Sequence, residues 1–475
     1  MQLLPDSLLN IHTMKISLIN PYELGRQPFG LAEPAAWLDR QGCEVSCCDL
    51  SIQKLESCLT PDTDVVAIYV AMHTATRIAI EALPRICQLA PRAYLCVYGL
   101  YAPMNSELFR SLGVQTVLGG EFETGLVSMV QRIRAGQGAH QTEPEIALDR
   151  IDFIAPDRSK LPELSQYASL INPDGTRKTV GFVETTRGCK YLCRHCPVVP
   201  VYRGRFNVIP MDIVINDIRE QIAQGAEHIS FGDPDFFNGP GHALRIVRAL
   251  HAEFPAVTYD ATIKIEHIVR YPEEMQILKD TGCLFILSAV EAVDDDILEH
   301  LDKGHTRADF VAALARLRNI GIALAPTFVA FTPWTTLENY IGLLRHIIDL
   351  QLVEAVAPVQ LSIRLLIPAG SCIMEIDSLA DSIGDFDPAI LGHPWSNPDA
   401  RVDALQQQVQ AWVTRAEAED QSRPQIFAGI WKLAHEQAGL PAPPLNLQHT
   451  GQPVPRLSEN WYCCAEPTCE QLTSI

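Results

Sequence analysis

Residues 179–196 read TVGFVETTRGCKYLCRHC. The run Thr179–Glu184 is rich in β-branched and aromatic side chains and predicts a strand. The polar stretch after it carries Cys189, Cys193 and Cys196 in a C-x3-C-x2-C spacing. Thiolates are soft ligands suited to iron–sulfur clusters and to zinc. Zinc ordinarily takes four ligands, often as two separated pairs, and no second pair lies nearby. His195 as a fourth ligand is strained by its adjacency to Cys196. Three thiolates leave one iron of a four-iron cluster open to a small molecule.

The strand before the cysteines opens a regular series. Further strands are expected at His228–Phe231, Thr258–Ile263, Leu284–Ala289, Ile322–Phe328 and Val359–Leu365. Helical patterns at Met211–Gln224, Gly241–Glu253, Asp294–Leu301, Thr306–Asn319 and Thr336–Gln351 separate them. Six β/α units are too few for a closed eightfold barrel, so an open, partial (β/α)6 barrel is predicted over 176–375, with chemistry at the strand C-terminal ends. An earlier series occupies 14–135. Apolar strands at Lys15–Asn20, Glu44–Cys48, Val65–Val70, Ala93–Tyr98 and Thr116–Leu118 alternate with helices. That pattern predicts an α/β, flavodoxin-like doubly wound domain, whose ligands bind beyond the strand C-terminal ends. Residues 136–175 are polar and turn-rich and read as a linker. The region 376–475 holds helices near Ala404–Glu417 and Gln425–Gln437, then a Pro-rich extended stretch.

Composition narrows the function classes. Of 475 residues, 47% are hydrophobic and 20% charged, which is globular and excludes a mostly disordered chain. Lys and Arg total 37 against 57 Asp and Glu, a net charge of −20 that argues against a nucleic-acid partner. No apolar run is long enough to span a membrane, and the N-terminus lacks an export signal, so a cytoplasmic protein is expected. The fourteen cysteines should then be buried thiols, metal ligands or redox groups rather than disulfides. Eight of them, Cys43, Cys47, Cys48, Cys58, Cys87, Cys96, Cys283 and Cys372, read as small buried hydrophobes.

C-x3-C-x2-C on the loop after the first strand of a partial barrel resembles the radical SAM superfamily. The resemblance implies that Cys189, Cys193 and Cys196 hold a [4Fe–4S] cluster. The open iron would take the amino and carboxylate groups of S-adenosylmethionine (SAM), and one electron would cleave a carbon–sulfur bond of the sulfonium. His195 stands where the family commonly touches the adenine. FGDPDFF places Gly232 and Asp233 where the SAM amino group is bound; a carboxylate can receive an ammonium, and a glycine admits close backbone approach. A plain strand-ending turn is the simpler alternative there. LSAVEAVDDDILEHLDKGHT resembles the fourth-strand region of the subgroup with an N-terminal B12-type domain, with Ser288 and Glu291 facing SAM. A solvated acid is the alternative for Glu291. LSIRLLIPAGS resembles the sixth strand, beside the adenine.

The opening segment INPYELGRQPFGLAEPAAWLDRQGCEVSCCDL, with YGLYAP (Tyr98–Pro103) and GGEFE (Gly119–Glu123), resembles that subgroup's cobalamin-binding domain. A D-x-H-x-x-G motif is absent and His73 does not rebuild it, so a bound cobalamin would lack that histidine ligand. A domain that serves packing alone stays open.

Near the C-terminus, WYCCAEPTC carries Cys463, Cys464 and Cys469. It is similar to the CUAEP/CCAEP-tail radical SAM (seleno)proteins, some of which carry selenocysteine at the position of Cys464. Vicinal thiols reduce substrates, donate hydrogen atoms or hold soft atoms. Cys464 with Cys463 is therefore the expected catalytic pair, and incidental cysteines are the alternative. The resemblance implies a radical SAM enzyme with a small-molecule substrate and an electron donor such as flavodoxin or ferredoxin. Three outcomes stand open: methyl transfer through cobalamin, hydrogen abstraction by a deoxyadenosyl radical, and transfer of SAM's 3-amino-3-carboxypropyl group to a soft acceptor such as arsenite. A non-catalytic iron–sulfur or SAM sensor is the rival from another class.

Overall fold

The computed structural model describes residues 13–138, 140–380, 382–447 and 450–459. Cys463, Cys464 and Cys469 lie outside them. Strands β1 (Lys15–Asn20), β2 (Glu44–Asp49), β3 (Val65–Tyr69), β4 (Tyr94–Tyr98), β5 (Thr116–Gly120) and the short β6 (Ile146–Ala147) form one parallel sheet. Their order is β2-β1-β3-β4-β5-β6, the doubly wound order expected. VVAIY in β3 is buried throughout because helices cover both faces. Leu31, Ala35, Leu126 and Met129 pack on one face, and Ile78, Ala82, Ile86 and Phe109 on the other.

The second sheet is β14-β13-β12-β11-β8-β7-β15. Its members are β7 (Ser169–Ile171), β8 (Arg177–Val183), β11 (His228–Phe231), β12 (Thr258–Thr262), β13 (Cys283–Glu291), β14 (Ala323–Phe328) and β15 (Arg456–Leu457). A separate antiparallel pair, β9 (Thr186–Gly188) and β10 (Phe206–Val208), brackets the cysteine loop. Five central strands are parallel and curl into a half-barrel, with β7 and β15 added antiparallel at the β8 edge.

The expected sixth strand, Val359–Leu365, is reduced to one parallel bridge between Phe331 and Arg364. Pro358–Leu361 instead makes a 3-10 turn, and the Gln360 side chain accepts the Phe328 amide at 3.1 Å, standing in for a strand at that edge. The C-terminal helices Ala400–Ala418 and Arg423–Gln437 pack Leu405, Val409, Ile426 and Ile430 into the barrel's own core. No helix of the described residues is long and apolar enough to cross a membrane.

The cysteine expectation needs correction. Cys48 and Cys58 form a disulfide, because the end of β2 and the helix Leu55–Cys58 bring their Cα atoms to 5.8 Å. Cys43, Cys47, Cys96 and Cys283 are buried as expected, but Cys87 is exposed and Cys372 half-buried.

The linker between the sheets is tied down by Arg158. Its guanidinium donates to both oxygens of Asp217 at 2.5 and 2.9 Å, to Gln27 Oε1 at 2.9 Å and to the Phe182 carbonyl at 2.7 Å. Both ion-pair partners are wholly buried. Removing one partner of such a pair strands the other charge, so Arg158→Ala should lower stability by about 3–5 kcal/mol in denaturant unfolding. A loss below ~1 kcal/mol would refute this anchoring role.

Candidate functional site

The cysteine loop leaves the C-terminal end of β8, as predicted. Cys189 and Cys196 are half-buried and Cys193 is buried, all as free thiols. Burial pushes the Cys189 thiol up to about 11 and the Cys196 thiol up to about 12, and the neighbouring cysteines add to both shifts. A bound iron would displace those protons. Two lysines face the sulfurs. Lys264 Nζ lies 3.8 Å from Cys193 Sγ, and the buried Lys303 interacts electrostatically with Cys193 and Cys196. Among the described residues no three His, Cys, Asp or Glu side chains converge as ligands of one ion. A single zinc needs that convergence; a cluster does not, because each cysteine binds its own iron.

Behind the loop runs a buried hydrogen-bond chain that sequence reading missed. Asp235 Oδ1 meets His267 Nδ1 at 3.3 Å, and His267 Nε2 meets the Tyr191 hydroxyl at 2.6 Å. Lys264 Nζ sits 3.4 Å over the Tyr191 ring. Tyr191 lies between Cys189 and Cys193, so this chain buttresses the ligand loop from two neighbouring strand ends.

Glu291 ends β13 with φ +68°, next to a register shift against β14. That local kink turns its carboxylate toward the loop, where Oε1 meets His195 Nε2 at 3.1 Å and Lys303 Nζ at 3.3 Å. Burial alone would raise its pKa, but Lys303 and the His195 hydrogen bond outweigh it and hold the carboxyl at about 2. The solvated alternative for Glu291 is thereby excluded. His195 Nδ1 is buried without a hydrogen-bond partner among the described residues. Lys303 stands in the KGHT segment, twelve residues after Glu291, but nothing in its local pattern marks it as a partner.

The other expected SAM contacts have tasks within the protein. Asp233 anchors the loop's first turn: Oδ1 accepts from the Thr185 and Thr186 hydroxyls at 2.7 and 2.6 Å, and Oδ2 from the Thr185 amide at 3.1 Å. Burial raises its carboxyl to about 6 against those bonds. Gly232 is required by packing, since a Cβ there would run into the Phe182 ring. The Ser288 hydroxyl donates to the Ile263 carbonyl at 2.6 Å, a link between neighbouring strands.

The two sheets meet at Arg187, two residues before Cys189. Its guanidinium is buried among Glu33, Glu121 and Glu123 of the first domain and Glu184 of its own strand end. The rings of Phe29, Phe122 and Phe153 surround it within 5.3–5.4 Å. Beside it opens a cavity. One wall is the C-terminal edge of the doubly wound sheet, including Glu23, Tyr69, Met72 and Tyr101; the other is the cysteine loop, including Thr186–Gly188 and Pro197–Val198. The sheet wall therefore lies at the switch point between β1 and β3. No histidine lines it. His73 is buried in its helix beyond the lining. Glu23 faces the cavity almost wholly buried, and its Oε2 has no hydrogen-bond partner among the described residues. Burial, and then the nearby Glu184, raise Glu23 to about 8; burial raises Glu184 to about 7 against the pull of Arg187.

This cavity suits a large ligand with a polar edge. It offers an orphaned acceptor, broad apolar and aromatic walls, and no metal-binding nitrogen from the sheet.

Residues 183–335 match the family model of the radical SAM superfamily. The chain carries a radical SAM domain. That superfamily uses a [4Fe–4S] cluster and SAM, and the three cysteines on the first barrel loop provide the thiolates such a cluster needs. The chain is 26% identical over 263 residues to a tRNA-2-methylthio-N(6)-dimethylallyladenosine synthase of Mannheimia succiniciproducens, covering 53% of this chain and 52% of that protein. It thus spans about half the length of the curated relatives it matches. In three dimensions it resembles OxsB, a cobalamin-dependent SAM radical enzyme solved with aqua-cobalamin bound, with a TM-score of 0.64, 15% identity, and 86% and 67% of the two chains covered. It also resembles the radical SAM methyltransferase TsrM from Kitasatospora setae, with a TM-score of 0.62, 17% identity, and 78% and 77% covered. The likeness to these two solved enzymes extends the shared fold beyond the radical SAM domain.

Glu23 yields a pH test. Its folded pKa of about 8 exceeds the ordinary 4.5, so its contribution is complete below pH 4.5 and is lost as pH rises through about 8. Glu23→Gln should match the parent in stability near pH 4.5 and exceed it by roughly 3–5 kcal/mol near pH 9. Equal stability at both pH values, by urea unfolding, would contradict the buried, unpartnered carboxyl.

Proposed function

We propose that the protein is a cobalamin-dependent radical SAM enzyme that transfers a methyl group to a small-molecule substrate. The observation that carries this reading is the single cavity walled by both the cysteine loop and the C-terminal edge of the doubly wound sheet. Cys189, Cys193 and Cys196 would hold the cluster, and the interdomain cavity would hold cobalamin. Bound there, these groups supply one-electron cleavage of SAM and a carrier for its methyl group.

The chain's own residues have definable roles in this reading. Lys303 and Glu291 form a fixed charge pair beside the loop and orient His195 toward the SAM side. Asp233 and Ser288 hold the strand ends from which Gly232 and Glu291 approach SAM. Glu23 accepts a hydrogen bond from the cavity's ligand, and Arg187 keeps the two walls together. An electron donor such as flavodoxin or ferredoxin, in the cytoplasm, completes the scheme.

The C-terminal pair belongs to the same reading. Val454–Glu459 lies along the barrel, β15 pairs with β7, and the Tyr22 hydroxyl donates to Glu459 at 2.8 Å. Glu459 thus stands beside the β1 loop that lines the cavity. Cys463 follows four residues later in the sequence, outside the described residues. That supports Cys463 and Cys464 meeting a substrate or intermediate at the cavity.

Anaerobic reconstitution with iron, sulfide and cobalamin, followed by SAM and a reductant, tests the reading by mass spectrometry of the SAM products. 5′-Deoxyadenosine together with S-adenosylhomocysteine is expected. Methylthioadenosine in their place would overturn methyl transfer in favour of aminocarboxypropyl transfer. Cys464→Ala should keep the cluster and SAM cleavage while losing the final product; unchanged turnover would remove the tail from the chemistry.

A further inference from the structure

A second cavity, of about 860 Å³, occupies the lumen of the half-barrel. It contains none of the cysteine-loop residues, nor Gly232, Asp233, Ser288 or Glu291, so it is separate from the SAM-facing groups. It shares Leu24 and Arg26 with the interdomain cavity and so abuts it. Its walls are largely apolar, with Phe285 and Leu287 of β13 and Ala325 of β14 facing inward.

One carboxylate stands in that apolar wall. Asp260, in the middle of β12, is only 5% exposed. Its Oδ1 accepts from the Ser230 hydroxyl at 2.5 Å and from His228 Nε2 at 2.9 Å. Lys178 donates to the Thr258 hydroxyl at 3.0 Å, and that hydroxyl lies 2.8 Å from His228 Nδ1. The barrel wall therefore orients Asp260 through Oδ1. Oδ2 takes no hydrogen bond from the described residues. A buried carboxylate in apolar surroundings is costly unless a donor or cation meets it.

The cations of the cavity lie elsewhere. Arg26, Arg423 and Arg456 come from the β1 loop, a C-terminal helix and β15, all outside the barrel. Arg456 is exposed, and the other two are half-exposed. Glu459 also lines this side, but it already holds the Tyr22 hydroxyl. The cavity is thus graded in charge, with a buried anion inside and cations toward solvent.

We propose that the half-barrel lumen binds the substrate, and that the substrate is a small zwitterion with an apolar body, its ammonium on Asp260 and its anionic group toward Arg423 and Arg456. This deepens the reading of the chain as a radical SAM enzyme and rests on it. A charge-assisted hydrogen bond to the ammonium supplies the donor that Asp260 Oδ2 lacks. The apolar body fills the lumen, and the ligand's flank reaches the interdomain cavity at Leu24.

The test uses the full-length reconstituted protein and four matched probes: 6-aminohexanoate, hexylamine, hexanoate and hexan-1-ol. Affinities are measured by calorimetry or ligand-detected NMR. 6-Aminohexanoate should bind tightest, and hexylamine at least about tenfold tighter than hexan-1-ol. Asp260→Asn should abolish that amine preference while leaving hexan-1-ol binding unchanged. Hexan-1-ol or hexanoate binding as tightly as the amines would overturn the proposal, and that comparison needs no variant to fold. SAM cleavage is followed in the same preparation. 5′-Deoxyadenosine formation without an amine preference rejects the lumen site alone. An amine preference without any SAM cleavage supports the site and rejects the catalytic reading.

Discussion

Arg187 stands at the point where the two domains and the cysteine loop become one unit. Its guanidinium is buried against carboxylates from positions 33, 121, 123 and 184, and lies two residues from the first cysteine. One cation among four buried acids cannot balance them all in ionised form. Burial accordingly raises Glu33, Glu121 and Glu184, partly against the pull of Arg187. Losing the guanidinium would leave like charges facing one another across the interface. The position of the cysteine loop relative to the doubly wound sheet therefore depends on this group.

With that junction fixed, the rest of the site follows from strand ends. The doubly wound sheet presents its switch point, and the half-barrel presents its first loop, to the same cavity. Glu291, Lys303 and His195 supply a fixed polar arrangement on the barrel side, and Asp235, His267 and Tyr191 support the loop from behind. The lumen below opens toward the same β1 loop. A molecule in the lumen and a ligand in the interdomain cavity would meet at Leu24 and Arg26, where the C-terminal segment also arrives.

Strand and helix periodicity made most of this architecture legible. β1, β3, β8 and β11 begin and end within a residue or two of where apolar runs place them. The sixth strand was misread because VQLSIRLL carries strand-forming residues, while Pro358 and the Gln360 side chain redirect its start. C-x3-C-x2-C stands out in the sequence because its spacing is local. Arg187, Lys303 and Asp260 act through partners distant in sequence or on neighbouring strands, so no local pattern marks them. The same limit applies to Asp233: its place at a strand end was legible, but its bonds to Thr185 and Thr186 were not. Cys48 and Cys58 show how composition misleads about one pair, since pairing depends on two Cα atoms that only the fold brings together.

The central claim is that the cysteine loop and the doubly wound sheet share one cofactor cavity. Electron paramagnetic resonance of the protein reconstituted with both iron–sulfur cluster and cob(II)alamin tests it most directly. The account predicts that reducing the cluster broadens or splits the cobalt signal through magnetic coupling across the cavity. A cobalt signal unchanged by cluster reduction, with cobalamin demonstrably bound, would contradict it.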